Sequence, residues 1–160
     1  MTAFTEPLCA VVDFGGTKIA TALVRGRSIL ERQQVATDGA APAEAHIDSI
    51  ATLLKPFLPK TTYLGVALTG RVHNGIWQPL NLETLAGFAQ IDVRAELAAT
   101  LGTPVVVLND ALAAAWGEYR LGAGRGATDM LYITVSTGVG GGFILDLCDR
   151  KPTPREVRIW

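Results

Sequence analysis

The chain has 160 residues, 49% of them hydrophobic and 18% charged, which suits one packed domain of ordinary size and argues against global disorder. A formal net charge of −1 gives no electrostatic case for binding nucleic acid or an anionic membrane surface. No basic residue precedes the short apolar run near the N-terminus, and no stretch approaches the roughly 18 apolar residues of a membrane span, so neither a signal peptide nor a spanning helix is expected.

In chain order, residues 8–14 (LCAVVDF) and 18–24 (KIATALV) read as two strands around a Gly-Gly corner, and 27–37 as a third, forming an antiparallel meander. Ile47, Ile50, Leu53, Leu54 and Phe57 recur at helical spacing and predict a helix over 43–58 that frays at Pro56. A buried-type strand follows over 63–70, then a hairpin turning at Asn74-Gly75. Residues 80–90 read as loop plus a short helix, and 91–102 as a helix closing at Gly102. The apolar run Val105 to Leu108 predicts a central strand. A helix from Ala111, a glycine-rich loop, a strand (DMLYITVS), a second glycine corner (TGVGGG) and the start of a partner strand complete the order. The whole is an α/β layer architecture with a mixed sheet, whose second strand–corner–strand unit echoes the first as in an internal duplication. Residues 146–160 break the pattern, with seven charged residues and two prolines, and read as a truncation through a shifted reading frame.

The two glycine corners carry the first chemical signal. Consecutive backbone N–H groups at Gly15 and Gly16 form an anion-binding concavity, and missing side chains let phosphate oxygens approach. Thr17 adds a hydroxyl donor and Lys18 a positive charge. Asp13, at the strand end, can hold magnesium through water. Alone, this corner is equally an ordinary Gly-Gly hairpin, and it is neither a P-loop nor a Rossmann fingerprint. The second corner, STGVGGG at 136–142, has four glycines in five positions, more than a plain hairpin needs. Paired, the corners point to two lobes closing on one nucleotide.

The second signal is VVVLND, which delivers Asn109 and Asp110 to the C-terminal end of a strand, where ligand sites of open α/β sheets lie. Asp110 can accept a proton from a hydroxyl attacking a γ-phosphate. Asn109 offers a donor and an acceptor to a sugar hydroxyl. Either residue can instead be the N-cap of the following helix. His46 reads as a surface or boundary residue, Trp116 and Tyr119 as core, and Glu118 as a solvated helix residue. Cys9 and Cys148 have no metal-ligand spacing, and a reduced cytoplasmic protein is expected.

Together these residues resemble the ROK family of sugar kinases, within the actin/hexokinase-like (ribonuclease H-like) ATPase superfamily. VVDFGGTKIA is similar to the family's first phosphate motif, LNDALAAAWGE to the segment with its catalytic aspartate, and VSTGVGGGFIL to its second phosphate motif. GVALTGRV, PLNLETLAG and DMLYITVSTGVGGG are most similar to the bacterial members that phosphorylate the 6-hydroxyl of N-acetylmannosamine in sialic acid degradation. The resemblance spans about residues 8–145 and implies an ATPase-type lobe over 1–125, the first strand pair of a truncated second lobe over 126–145, and an aberrant tail over 146–160.

The resemblance further implies ATP and Mg2+ as cofactors, a small sugar as substrate, no nucleic acid or membrane partner, and a homodimer for intact members. It makes Asp110 the base and Asn109 a sugar ligand. Gly15, Gly16, Thr17 and Lys18 fall in the first ATP-binding segment, Thr137, Gly138, Val139, Gly140, Gly141 and Gly142 in the second, and Asp13 serves magnesium. The family's zinc motif, the glutamate and histidine sugar ligands beyond the second phosphate motif and most of the adenine pocket are missing. One lobe alone is expected to bind ATP weakly and transfer phosphate poorly. Apolar surface left where the second lobe packs predicts poor solubility. The alternatives are a glucokinase or other hexose kinase of the family, a non-enzymatic regulator, for whose helix-turn-helix domain the first ten residues leave no room, or an inactive remnant.

Overall fold

A computed structural model describes residues 6–80, 85, 90–135 and 139–145. The chain divides after Leu108 into two compact units. The domain reading from sequence sets its boundary at 125/126; in the structure the helix that follows Asn109 packs on the strands after it, and so belongs to the second unit.

The first unit is built on the expected meander. β1 (Leu8–Phe14) pairs antiparallel with β2 (Lys18–Arg25), which pairs antiparallel with β3 (Ser28–Ala36). Ala10, Val12 and Phe14 alternate into the core, as a half-buried strand requires. α1 (Ala43–Leu54) buries Ala43, His46, Ile47, Ile50, Ala51 and Leu54, one apolar stripe of period 3.6. It ends two residues before Pro56, whose ring cannot continue the helix, and a 3₁₀ turn over Leu58–Lys60 leads into β4 (Tyr63–Leu68). β4 runs parallel to β1, so the sheet is mixed.

β5 (Arg71–His73) and β6 (Ile76–Gln78) form the hairpin marked by Asn74-Gly75, where φ is 53° and 90°, the pair of positive values that this turn demands. β7 (Ile91–Asp92) pairs with β6 and was not legible as a strand; the helix expected over 91–102 is α2 (Val93–Leu101), with Asp92 as its N-cap and Gly102 closing it. β8 (Val105–Asn109) follows, and the main sheet runs β3-β2-β1-β4-β8. The run Val105–Leu108 is thus an edge strand among the described residues rather than a central one. Val105 and Val107 pack on the core while Val106, on the opposite face, is 57% exposed. An apolar run reports what its two faces meet, not how many strands flank it.

The core gathers β1, β4, α1 and α2 around Phe14, Ile50, Leu54, Leu64, Trp77 and Leu97, each burial contributing about 1.5–3 kcal/mol. Phe14 sits edge-to-face with Trp77, ring centroids 4.7 Å apart, and with His46 at 5.1 Å. The second unit holds α3 (Asp110–Leu121), packed on the antiparallel pair β9 (Asp129–Val135) and β10 (Val139–Leu145). No helix of the described residues is long and apolar enough to cross a membrane. The helix expected within 80–90 and the tail 146–160 fall mainly or wholly outside the described residues.

Candidate active site

The first glycine corner follows Phe14, the last β1 residue in register with β2. Asp13 is exposed at this end of β1, with Ala20 beside it on β2 and Ala67 on β4, so its carboxylate stands among small neighbours. The corner closes through Gly15 N–H donating to the Lys18 carbonyl at 2.9 Å. That amide is therefore engaged inside the turn, and the expectation that it serves an anion is corrected. Among the described residues the amides of Gly16 and Thr17 are the ones left for an anion. Neither a left-handed φ nor crowding demands glycine at 15: among the described residues, a Cβ there would meet only the Lys18 carbonyl oxygen, at 3.6 Å. Open space over the backbone is what an approaching phosphate requires. Thr17 and Lys18 are exposed beside it. A lone hard-oxygen carboxylate next to this space fits magnesium held through water.

Thr37, which the sequence reading passed over, ties the corner down. Its hydroxyl donates to the Gly15 carbonyl at 2.8 Å and its N–H to the Thr17 carbonyl at 3.0 Å. The only sequence signal for it is register: Lys18 pairs with Ala36, which sets the next residue opposite Thr17.

In the second unit, the capping reading of LND holds for Asn109. Asn109, 4% exposed, is the N-cap of α3, its side-chain oxygen accepting from Leu112 N–H at 3.0 Å. Its amide nitrogen donates to Asp110 Oδ1 at 2.9 Å, and the Ala111 N–H donates to the same oxygen at 2.7 Å. Asp110 is the first residue of α3, half-buried, where the helix dipole favours a carboxylate.

The second glycine motif differs from its expectation. Gly140, Gly141 and Gly142 are not in a corner; they lie within β10, opposite Thr134, Ile133 and Tyr132. A Cβ on Gly141 would come within 2.6 Å of the Tyr132 carbonyl oxygen, and one on Gly140 within 3.3 Å of the Ala111 Cβ. These glycines let the strand lie close to its partner and to the first turn of α3, one residue from Asp110. Val139 begins the strand and is exposed. Ser136, Thr137 and Gly138, which join β9 to β10, lie outside the described residues.

Other side chains depart from their readings. His46 is only 2% exposed, a core residue on Phe14 rather than a surface one. Trp116 and Tyr119 are half-buried and stack on each other at 5.8 Å, with the Arg120 guanidinium 5.6 Å from the Trp116 ring. Glu118 is exposed, as expected, and accepts from the Ala123 N–H at 2.9 Å.

The sequence pattern of the ROK family matches residues 9–148. The chain is 48% identical over 133 residues to the bifunctional enzyme NanE/NanK of Brucella melitensis, covering 83% of this chain and 26% of that protein. It is 39% identical over 138 residues to an N-acetylmannosamine kinase of Haemophilus influenzae, covering 86% of this chain and 46% of the relative. The structure of a ROK family glucokinase from Streptomyces griseus in complex with glucose and AMPPNP matches with a TM-score of 0.75 at 34% identity, over 94% of this chain and 46% of that one. A ROK hexokinase from Thermus thermophilus matches at 0.76 and 29% identity, over 94% and 48%. The chain thus spans between a quarter and a half of these relatives' lengths. Its fold is the actin/hexokinase-like α/β fold with a mixed sheet, and the chain belongs to the ROK family.

Proposed function

We propose that this chain carries the nucleotide- and sugar-handling residues of an ATP-dependent kinase acting on the 6-hydroxyl of N-acetylmannosamine. The observation that carries the reading is the Asp110 carboxylate, fixed at the start of α3 by Asn109 and the Ala111 amide. A carboxylate so held orients a sugar hydroxyl and takes its proton as the hydroxyl attacks phosphorus, the main task of a base in phosphoryl transfer. Asn109 holds Asp110 and is assigned the sugar contact beside it.

Gly16 and Thr17 amides, with Lys18, receive phosphate oxygens at the first corner, and Asp13 orders the water around magnesium. Bound magnesium-ATP supplies the transferable phosphoryl group. The second phosphate contact is assigned to Thr137, Gly138 and Val139, ahead of the strand glycines. The choice of sugar follows relatives named N-acetylmannosamine kinase at 39% identity, and a cytoplasmic location is part of the same reading. A glucokinase is the second reading, supported by the 34% identity to the Streptomyces griseus enzyme.

ADP release with magnesium-ATP tests it, comparing N-acetylmannosamine with glucose. Release that prefers N-acetylmannosamine and falls on the order of 10²–10⁴-fold in Asp110→Asn is expected. A preference for glucose selects the second reading. No sugar-dependent release from folded protein removes the activity from this chain.

A further inference from the structure

We infer that Thr37 is a positioning residue for phosphate binding at the first corner: its hydroxyl fixes the Gly15–Gly16 peptide so that the Gly16 amide is aimed away from β3, at the bound anion. This rests on the phosphate reading of the corner given above. The geometry is that of a planar trans peptide, in which the carbonyl of one residue and the N–H of the next point in opposite directions. The Gly15 carbonyl is held by the Thr37 hydroxyl at 2.8 Å, so the Gly16 N–H in the same plane is held facing the other way. The Thr17 carbonyl is held by the Thr37 N–H at 3.0 Å, which fixes the Thr17–Lys18 plane in the same manner.

One residue thus grips both limbs of a turn that is itself closed by Gly15 N–H to Lys18 O at 2.9 Å. Two adjacent glycines are otherwise free to rotate their shared peptide, because no Cβ restricts either side. An anion site made of backbone amides works only when those amides already converge. Thr37 supplies that convergence from the end of β3, through main-chain and side-chain bonds at once. The main-chain bond survives any substitution except proline; the side-chain bond survives only where a hydroxyl is kept. Thr37→Val therefore removes one bond without changing the side chain's shape, and Thr37→Ser keeps it.

The test uses the full chain labelled with 15N, with magnesium-ADP and inorganic tripolyphosphate as probes. The Gly16 amide resonance is followed in titrations of the parent, Thr37→Val and Thr37→Ser, alongside each protein's thermal midpoint. The expected result is a dissociation constant about fivefold to tenfold higher in Thr37→Val, recovery to within about twofold in Thr37→Ser, and a lower 15N order parameter for the Gly16 amide in ligand-free Thr37→Val. Equal affinity in the parent and Thr37→Val overturns the proposal. If the parent's Gly16 amide answers neither probe, the phosphate reading beneath the proposal falls; this is told apart because all three proteins then fail alike, while the Gly16 order parameter still reports whether Thr37 holds the peptide.

Discussion

The side-chain amide of Asn109 donates to Oδ1 of Asp110 at 2.9 Å while its oxygen accepts from Leu112, so one residue starts α3 and holds its neighbour's carboxylate. The two jobs separate by substitution. Asn109→Ser keeps a good N-cap and loses the donor to Asp110, whereas Asn109→Ala loses both. Asn109→Ala is expected to cost about 1 kcal/mol more stability than Asn109→Ser, while both lower sugar-dependent ADP release about tenfold or more. Denaturant titration beside initial rates separates the effects. Full activity in Asn109→Ser would show that the Asn109–Asp110 bond is incidental.

Thr21 lies in β2 at 1% exposure, on the core face with Ile19 and Leu23, and its hydroxyl meets no hydrogen-bond partner among the described residues. A buried hydroxyl without a partner costs about 1–3 kcal/mol relative to one that is satisfied. Thr21→Val keeps the branched shape that suits a strand and removes the polar atom. It should raise the unfolding free energy by about 1 kcal/mol in urea titration. A loss of stability would mean that the hydroxyl is satisfied in solution.

Gly141 stands where a Cβ would come within 2.6 Å of the Tyr132 carbonyl oxygen on the paired strand. Backbone cannot yield as a side-chain tip does, so Gly141→Ala should push β10 away from β9 and lower stability by about 1–3 kcal/mol. Gly102→Ala is a useful contrast. None of the described residues lies within 4 Å of a Cβ there, so the change tests the positive φ of 61° alone. If Gly141→Ala melts with the parent, the close approach of the strands is not a constraint.

Burial lowers the pKa of His46 below its ordinary 6.5; the charge of Asp38 and a hydrogen bond with the backbone of Ala41 oppose this. The folded state therefore binds this proton less readily than the unfolded chain. Stability from this group is complete above about pH 6.5 and is lost as pH falls from there through the lowered folded value, below which the loss levels off. His46→Gln should flatten that part of the slope in thermal midpoints measured between roughly pH 5 and 7.5. An unchanged slope would assign the acid sensitivity to other groups.

Much of this fold was readable in advance because local chemistry and final structure agree. The alternation of Ala10, Val12 and Phe14, the stripe from Ile47 to Leu54, the Asn74-Gly75 turn and the Gly102 stop each encode one element by steric rules that act within a few residues. The misreadings share a different cause. Whether Val106 is covered, whether His46 is inside, and whether Gly140 to Gly142 turn or run straight depends on partners distant in sequence. Of the site, Asp110 and Asn109 were visible as residue types at a strand end, but not their bond to each other. Thr37 was invisible because its partners lie 20 and 22 residues upstream, across a strand register that no short window contains.

Phe14 packs on Trp77, whose indole N–H is bound to the Thr69 carbonyl at 2.7 Å, while Trp116 is stacked on Tyr119 at the surface of α3. Trp77 in the first unit and Trp116 in the second are therefore chromophores in contrasting settings, one dry and fixed, the other half-wet beside a guanidinium. Emission from Trp77 should be blue-shifted and rich in near-ultraviolet dichroism, and that from Trp116 redder and more readily quenched by iodide. With the chain's third tryptophan, Trp160, replaced by phenylalanine throughout, replacing Trp77 or Trp116 in turn would give separate optical readouts of the two units, so that loss of one before the other appears as two non-coincident transitions.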